Sequence, residues 1–448
     1  MAALPSCALA QSPASLPPAA AQASPASSSI PSAPTVQAPF VAPPGEALRY
    51  PTDGTPRTLT LAQAISEAQR NSPQLRGAAA GIQRAQAANT VAGAYTNPVI
   101  EVYAGRQYAR PIPTPGVPGL LQHYAAYQTI EIPSERAARR AVAQSAAVSS
   151  GYGQQGLVLS VVAEVKKAFY NVLRRRAEVE HTRESRQLVE DLRRRVAVEV
   201  NVGEKGRLEL TRAEAELARA SFAVRSAQLE LANGIAQLRI AIAAPPGANL
   251  EPQGTLEPRI RLAQLPELQE RVYATHPALA QTQANIRTAE AQVREEKLLR
   301  IPRPIAFAEF ENQPDLRYWR TGVSIPLPLF DRRRGQIAQS QAEVSQSNAL
   351  LNQRRLELTL SLERAYEQYQ LADQQVESLQ SGELHAAESA VEGAKAAYRF
   401  GERGLVEVLD AQRVLQAVRG DLVDAQFARQ TARVDLEELG AVAPEERP

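Results

Sequence analysis

The chain says one thing twice. The stretch "NSPQLRGAAAGIQRAQAANTVAGAYTNP", ending at Pro98, returns as "THPALAQTQANIRTAEAQVREEKLLRIP", ending at Pro302. Pro73 aligns with Pro277, Leu75 with Leu279, Ala80 with Ala284, Ile82 with Ile286 and Ala85 with Ala289, under one constant shift and without a gap. Further on, "GEKGRLELTRAEAEL" from Gly203 returns as "GERGLVEVLDAQRVL" from Gly401, which aligns Gly206 with Gly404 and Glu209 with Glu407. Roughly residues 58–250 are thus repeated in roughly 258–445, so two copies of one unit set the architecture. The shift shortens between the two pairs. The proline-rich "RPIPTPGVPG" at 110–119, absent from the second copy, takes up the difference as a loop tip.

Proline spacing shows what each unit is made of. Twelve of the 32 prolines precede residue 57, and none falls between Ser134 and Ala244 or between Leu329 and Ala443. A proline inside a helix costs about 3 kcal/mol, so these gaps mark long helices. Both gaps are rich in Ala, Leu, Glu, Gln and Arg, and each is interrupted once by a Gly-x-x-Gly turn, at Gly203 and Gly206 and at Gly401 and Gly404. The spacing predicts two helical hairpins. Their longer arms run from Ser134 to about Val200 and from Asp331 to about Phe400, each on the order of 100 Å. Ser134 and Asp331 are read as N-caps. Apolar positions are mostly Ala with spaced Leu and Val, which suits a hollow wall of coiled helices more than a thick core.

Strand-like pieces lie between the helices at 99–105, 123–133, 305–311 and 317–327. In the last, Trp319, Thr321, Val323 and Ile325 alternate with Tyr318, Arg320, Gly322 and Ser324. About ten alternating residues match a membrane-spanning strand, with a small soluble ribbon as the alternative. Four strands cannot close a barrel, and an open edge cannot lie in lipid. Three chains would supply twelve strands and quasi-sixfold symmetry, which explains the duplication.

Composition narrows the function. A net charge of +2 implies no nucleic-acid partner. One Cys, one Met and four His exclude a disulfide framework and a Cys- or Met-rich metal store. His123, His181, His276 and His385 lack metal-ligand spacing and are read as structural or exposed. No nucleophile–base pair or phosphate loop appears, and neither an enzyme activity nor a cofactor is expected. No apolar run reaches the length of a membrane-spanning helix. Ala8-Leu9-Ala10 before Gln11 fits the cleavage site of a truncated secretory leader at 1–10, and a lipid-modified Cys7 is the rival reading. Residues 11–57, rich in Pro, Ala and Ser, read as an unfolded arm.

The segments "NSPQL…NP", "GVSIPLPLFDRRRGQIAQSQAEV" and "YRFGERGLVEVLDAQRVLQAVRGDLVDAQ" resemble the TolC-type outer membrane factors. The second of these, with "QTIEIPSERAARR", is most similar to the CzcC-type heavy-metal subgroup. The resemblance implies a mainly α fold with a small β part. A long α-helical coiled-coil barrel would join a transmembrane β-barrel built from four strands per chain of a homotrimer. It implies an outer-membrane exit duct with a periplasmic helical extension, favouring heavy-metal cations over drugs or secreted proteins. A periplasmic adaptor and an inner-membrane resistance-nodulation-division pump would be its partners. It places Glu407 and Asp410 at the periplasmic aperture as carboxylate rings, and Tyr398, Arg403 and Glu209 as the lock between neighbouring hairpins. Arg212 stands in the first copy where Asp410 stands in the second. A periplasmic adaptor and a purely structural coiled coil are the rival classes; the duplicated strand pairs argue against the first, and a secretory leader and the "SIPLPLF" strand ends, which a structural coiled coil would not need, argue against the second.

Overall fold

The structure, a computed structural model, describes residues 57–107, 119–256, 259–313 and 316–443. The predicted leader at 1–10, all of the predicted arm at 11–57 except Arg57, which begins a strand, and all of the proline-rich 110–119 except Gly119 lie outside the described residues. The two repeats run through the same order of elements. The first comprises β1 (Arg57–Leu59), α1 (Leu61–Asn71), α2 (Pro73–Gly93), β2 (Val99–Gln107), β3 (Gly119–Thr129), α3 (Pro133–Asn201) and α4 (Arg207–Ala241). The second comprises β4 (Leu250–Pro252), α5 (Leu265–Thr275), α6 (Pro277–Leu298), β5 (Ile305–Asn312) and β6 (Arg317–Ser324). It continues through α7 (Arg334–Ser378), a π-helical turn (Leu379–Glu383), α8 (Leu384–Arg399) and α9 (Leu405–Glu438). The chain is therefore mainly α with a small β part, as its sequence implies.

The repeats are joined at three levels. β1 pairs with β4 in parallel, which brings the two repeat starts together. β2, β3, β5 and β6 form one antiparallel sheet in that order. Along the helices, α9 returns between α3 and α7. There the ammonium of Lys166 meets the Glu437 carboxylate, which also accepts from Arg433 Nε at 3.1 Å, all three side chains being buried. Under the sheet, the buried Glu135 of α3 accepts from both Arg303 Nε, at 3.0 Å, and Arg303 Nη2 on the approach to β5. Removing one partner of a buried ion pair strands the other charge and costs about 3–5 kcal/mol. Two apolar clusters complete the body. One gathers Leu59, Val165, Phe169, Leu238 and Leu250, and the other gathers Leu268, Leu279, Leu362, Tyr369 and Leu436.

Local chemistry moves several predicted boundaries. Ser134 is not the N-cap of α3, because Pro133 takes the first helical position, where its missing N–H costs nothing, and Ile132 becomes the cap. Asp331 is not the N-cap of α7 either. Its carboxylate accepts the Arg333 N–H at 2.8 Å and closes a turn that leaves Arg333 left-handed before the helix begins. β3 ends at Thr129 and β6 at Ser324, short of the predicted ends. Prolines 326 and 328 supply no N–H to extend a ladder beyond Ser324.

The second long arm carries an extra residue. Buried positions on α7 advance in alternating steps of four and three through Leu358, Leu362, Ala365, Tyr369, Ala372 and Val376, the seam of a coiled coil. The seam resumes at Leu384, one residue later than a heptad requires, and continues through Ala387, Val391, Ala394 and Tyr398. The intervening π turn absorbs that residue. On α3 the seam passes through Val161, Val165, Val172, Val179, Val189 and Val196 with no such break. Deleting Gly382 should therefore leave one continuous α-helix with its seam in register, and should remove a helix-interior glycine worth about 1 kcal/mol. We expect unchanged assembly and an equal or higher thermal midpoint in detergent. Deletion of the exposed Gln368, above the turn, should abolish assembly. Loss of assembly on deleting Gly382 would show that the π turn is required.

Ser72 and His276, each before a proline, cap α2 and α6 in the two repeats. Ser72 Oγ accepts from the Leu75 N–H at 3.4 Å and His276 Nδ1 from the Ala278 N–H at 3.1 Å. Burial, followed by the charge of Arg354, lowers the His276 pKa to about 4. The unfolded chain then binds a proton that the folded chain refuses between about pH 6.5 and 4. Stability should fall as pH drops through that window, by at most about 3 kcal/mol, and level off below it. The His276→Ser variant should lose this component in pH-dependent thermal melts.

Candidate functional site

The four-stranded sheet has two chemically different faces. Register puts Val102, Tyr124, Phe310 and Trp319 in one row across the strands, and Ile100, Ala126, Ala308 and Thr321 in another row on the same side. Of these, Ile100, Val102, Tyr124, Phe310 and Trp319 are exposed in the single chain. The opposite side carries Glu101, Ala125, Glu309 and Arg320 in one row and Tyr103, His123, Glu311 and Tyr318 in the next. Here polar groups satisfy one another. Arg320 pairs with Glu309, which also accepts from the Tyr127 hydroxyl at 2.9 Å. Tyr318 donates to Glu311, and the Tyr103 and His123 rings stack at 4.3 Å. Gly322 leaves room for Phe307, since a Cβ there would stand 2.7 Å from the Phe307 ring. One apolar face and one hydrogen-bonded polar face are what a strand between lipid and a wet lumen requires. Among the described residues, no helix is long and apolar enough to cross a membrane.

At the far end of the helices the two hairpin turns share one backbone design. Gly203 (φ +86°) and Gly401 (φ +75°) take the left-handed conformation that a side chain resists. In the first turn Gly203 N–H bonds Val200 O and Glu204 N–H bonds Glu199 O. In the second, Gly401 N–H bonds Tyr398 O and Glu402 N–H bonds Ala397 O. Both are Schellman closures. Gly206 and Gly404 are the extended caps of α4 and α9. Glu209 and Glu407 follow in the first helical turns, where a negative charge favours the helix dipole.

A buried apolar cluster binds the two tips together through Val189, Leu192 and Val196 of α3, Ala213 of α4, Tyr398 of α8, and Leu405 and Val408 of α9. Tyr398 lies within it and donates its hydroxyl to Glu199 Oε2 at 2.6 Å. Burial, the bond to Glu199, and the charges of Glu199 and Glu209 hold this phenol far above its ordinary value, so it remains a donor. The Lys205 ammonium stands 4.7 Å from the Tyr398 ring centroid and 3.6 Å from Glu209. Beyond the cluster, Arg413 of α9 reaches Glu216 of α4 at 2.9 Å, and Arg419 reaches Glu184 of α3 at 2.8 Å.

Of the residues singled out from sequence, Tyr398 and Glu209 come together here, and Glu407 and Asp410 share the exposed side of α9. Arg403 is exposed and forms no ion pair among the described residues. Within the chain the hydroxyl of Tyr398 goes to Glu199, not to Glu209. Glu199 and Lys205 were missed by sequence reasoning. The signal for Lys205 was present, since it occupies in GEKG the place of Arg403 in GERG. Among the described residues no group of His, Cys, Asp and Glu is arranged to hold a metal ion.

The outer membrane efflux protein profile matches residues 268–441. The cobalt-zinc-cadmium resistance protein CzcC of Cupriavidus metallidurans is 30% identical over 221 residues, 48% of this chain and 50% of that protein, so the match spans half that relative's length. Protein CyaE of Bordetella pertussis is 27% identical over 326 residues, 69% of this chain and 68% of that protein. The crystal structure of CusC, studied for its folding and transmembrane channel formation, matches with a TM-score of 0.72. That match covers 85% of this chain and 91% of that one at 19% identity, a likeness of fold. The second repeat is thus similar in sequence to outer membrane efflux proteins, and both repeats share the fold of the CusC channel structure.

Proposed function

We propose that this protein is the outer-membrane exit duct of a tripartite efflux system, assembled as a homotrimer. The observation that carries this reading is the sheet. It has one apolar face, one polar face and two unpaired edge strands, β2 and β6. Because β2 and β6 run in opposite directions, β6 of one chain can pair with β2 of the next in the antiparallel sense. Three chains then close twelve strands around a polar lumen, and their six hairpins form a tube below. A pump of the resistance-nodulation-division type and a periplasmic adaptor would drive and deliver the substrate, so the duct itself conducts passively. Heavy-metal cations are the favoured cargo, supported by the similarity to a cobalt-zinc-cadmium resistance protein. A deletion strain should gain sensitivity to some of zinc, cobalt, cadmium, nickel and copper while drug tolerance is unchanged. Sensitisation to drugs alone would reject the metal assignment.

At the tip, Glu407 and Asp410 would line the aperture as rings of carboxylates, which favour cations. Arg403, exposed and without an ion pair among the described residues, would reach a carboxylate of the neighbouring chain. Tyr398 would hold the hairpins of its own chain together. Arg403→Ser with Tyr398→Phe should raise single-channel conductance in planar bilayers without changing the trimer mass. Glu407→Ala with Asp410→Ala should instead weaken cation preference and block by multivalent cations. Wild-type conductance in the first pair would remove Arg403 and Tyr398 from the gate. Unchanged selectivity in the second pair would remove the carboxylate rings.

A further inference from the structure

The two Gly-x-x-Gly turns have equivalent backbones and equivalent cations, Lys205 and Arg403, yet among the described residues only Lys205 is engaged by a ring or a carboxylate. Lys205 lies over the face of Tyr398 and next to Glu209, whereas Arg403 is exposed. The repeat explains the difference. Tyr398 belongs to the second copy, and its counterpart in the first copy is Val200, which has no ring for a cation to cover. We propose that Lys205 is a positioning residue of the tip, the cation that clasps the two hairpins of one chain around Tyr398. This rests on the reading of the tip as a gate.

The physical case combines three contacts. An ammonium over a tyrosine ring is attracted by the ring's negative face. The same ammonium, half-buried, lies 3.6 Å from Glu209 and offsets a carboxylate beside the apolar cluster. The Tyr398 hydroxyl is occupied by Glu199 on α3, so the ring is fixed with its face available. Lys205 thus spans from the turn joining α3 and α4 to the end of α8, a connection that backbone hydrogen bonds of either turn do not make. Without it, Glu199 and Glu209 would both act on one phenol with less compensating charge, and the tip of α8 would be less firmly held.

The test uses the full-length protein purified in detergent, with trimer mass confirmed before reconstitution. Lys205→Met keeps the length of the side chain and removes its charge. It should raise the open fraction of single channels about two- to fivefold, the low end of what a cation–π contact contributes. Lys205→Arg should restore the wild-type record. In a Tyr398→Phe background, where a ring persists, Lys205→Met should still act. In a Tyr398→Leu background, where no ring remains, it should add little. A Lys205→Met trimer that conducts as the wild type overturns the proposal. So does an equal effect of Lys205→Met with and without the ring, since a generic charge effect would need no tyrosine. Failure of the wild-type trimer to conduct at all would instead overturn the channel reading.

Discussion

The two outer strands of the sheet impose the constraint on which the rest depends. Among the described residues β2 and β6 each pair on one side only, which leaves a row of backbone N–H and C=O groups without a strand partner. In the membrane setting proposed for this sheet, the apolar face carrying Ile100, Val102, Phe310 and Trp319, exposed in the single chain, would exclude water as a substitute partner. Each unpaired backbone group in that setting costs several kcal/mol, far more than any surface ion pair elsewhere in the molecule contributes. In the proposed trimer, copies of the same sheet would meet these edges. The four-strand order, with its edge strands antiparallel, lets identical chains supply each other without a mismatch. The ion pair of Glu135 and Arg303 acts just below, fixing the start of α3 to the approach of β5, so that the helices follow the sheet they hang from.

Below the sheet the problem changes from backbone satisfaction to length. A helix of 69 residues is kept in place by its seam, and the small residues along it bury little area each. Stability must then be spread along the whole arm. Apolar clusters at the body and the tip alternate with cross-helix charge pairs such as Lys166 with Glu437 and Arg419 with Glu184. A seam of this kind tolerates a skipped residue only where the helix can widen locally. The π turn at Leu379–Glu383 provides that, with Gly382 inside it and no buried side chain to displace.

Much of this was legible in the sequence, for identifiable reasons. Helices and their turns followed from proline gaps and from Gly203 and Gly401, because those residues act through backbone geometry that neighbours cannot override. The strand faces followed from alternation at Tyr318 to Ser324. The inserted residue of the π turn was not seen, since a single insertion leaves local propensity unchanged and becomes visible only when buried positions are compared over many turns. Ser134 and Asp331 are good capping residues by type, but Pro133 and the left-handed Arg333 decided where the helices begin. Glu199 was invisible because its role depends on a tyrosine some two hundred residues away in the chain, brought near by packing of α8 against α3.

The duplication also explains why the tip should not be treated as six equal parts. Backbone closure at Gly203 and Gly401 is the same, so the repeats agree where geometry alone is concerned. They diverge in the side chains that act across hairpins: Val200 against Tyr398, Lys205 against Arg403, and Arg212 against Asp410. In the proposed trimer the junction inside each chain would hold a buried tyrosine, its carboxylate and a stacked lysine. The junction between chains would meet the equivalent positions filled by valine and by an exposed arginine. A desolvated hydrogen bond and ring contact are less sensitive to salt than an exposed ion pair, which is screened within about 8–10 Å at ordinary ionic strength. The two kinds of junction would therefore respond differently to ionic conditions. The chain boundaries, which depend on Arg403, would be the ones that yield first as salt rises.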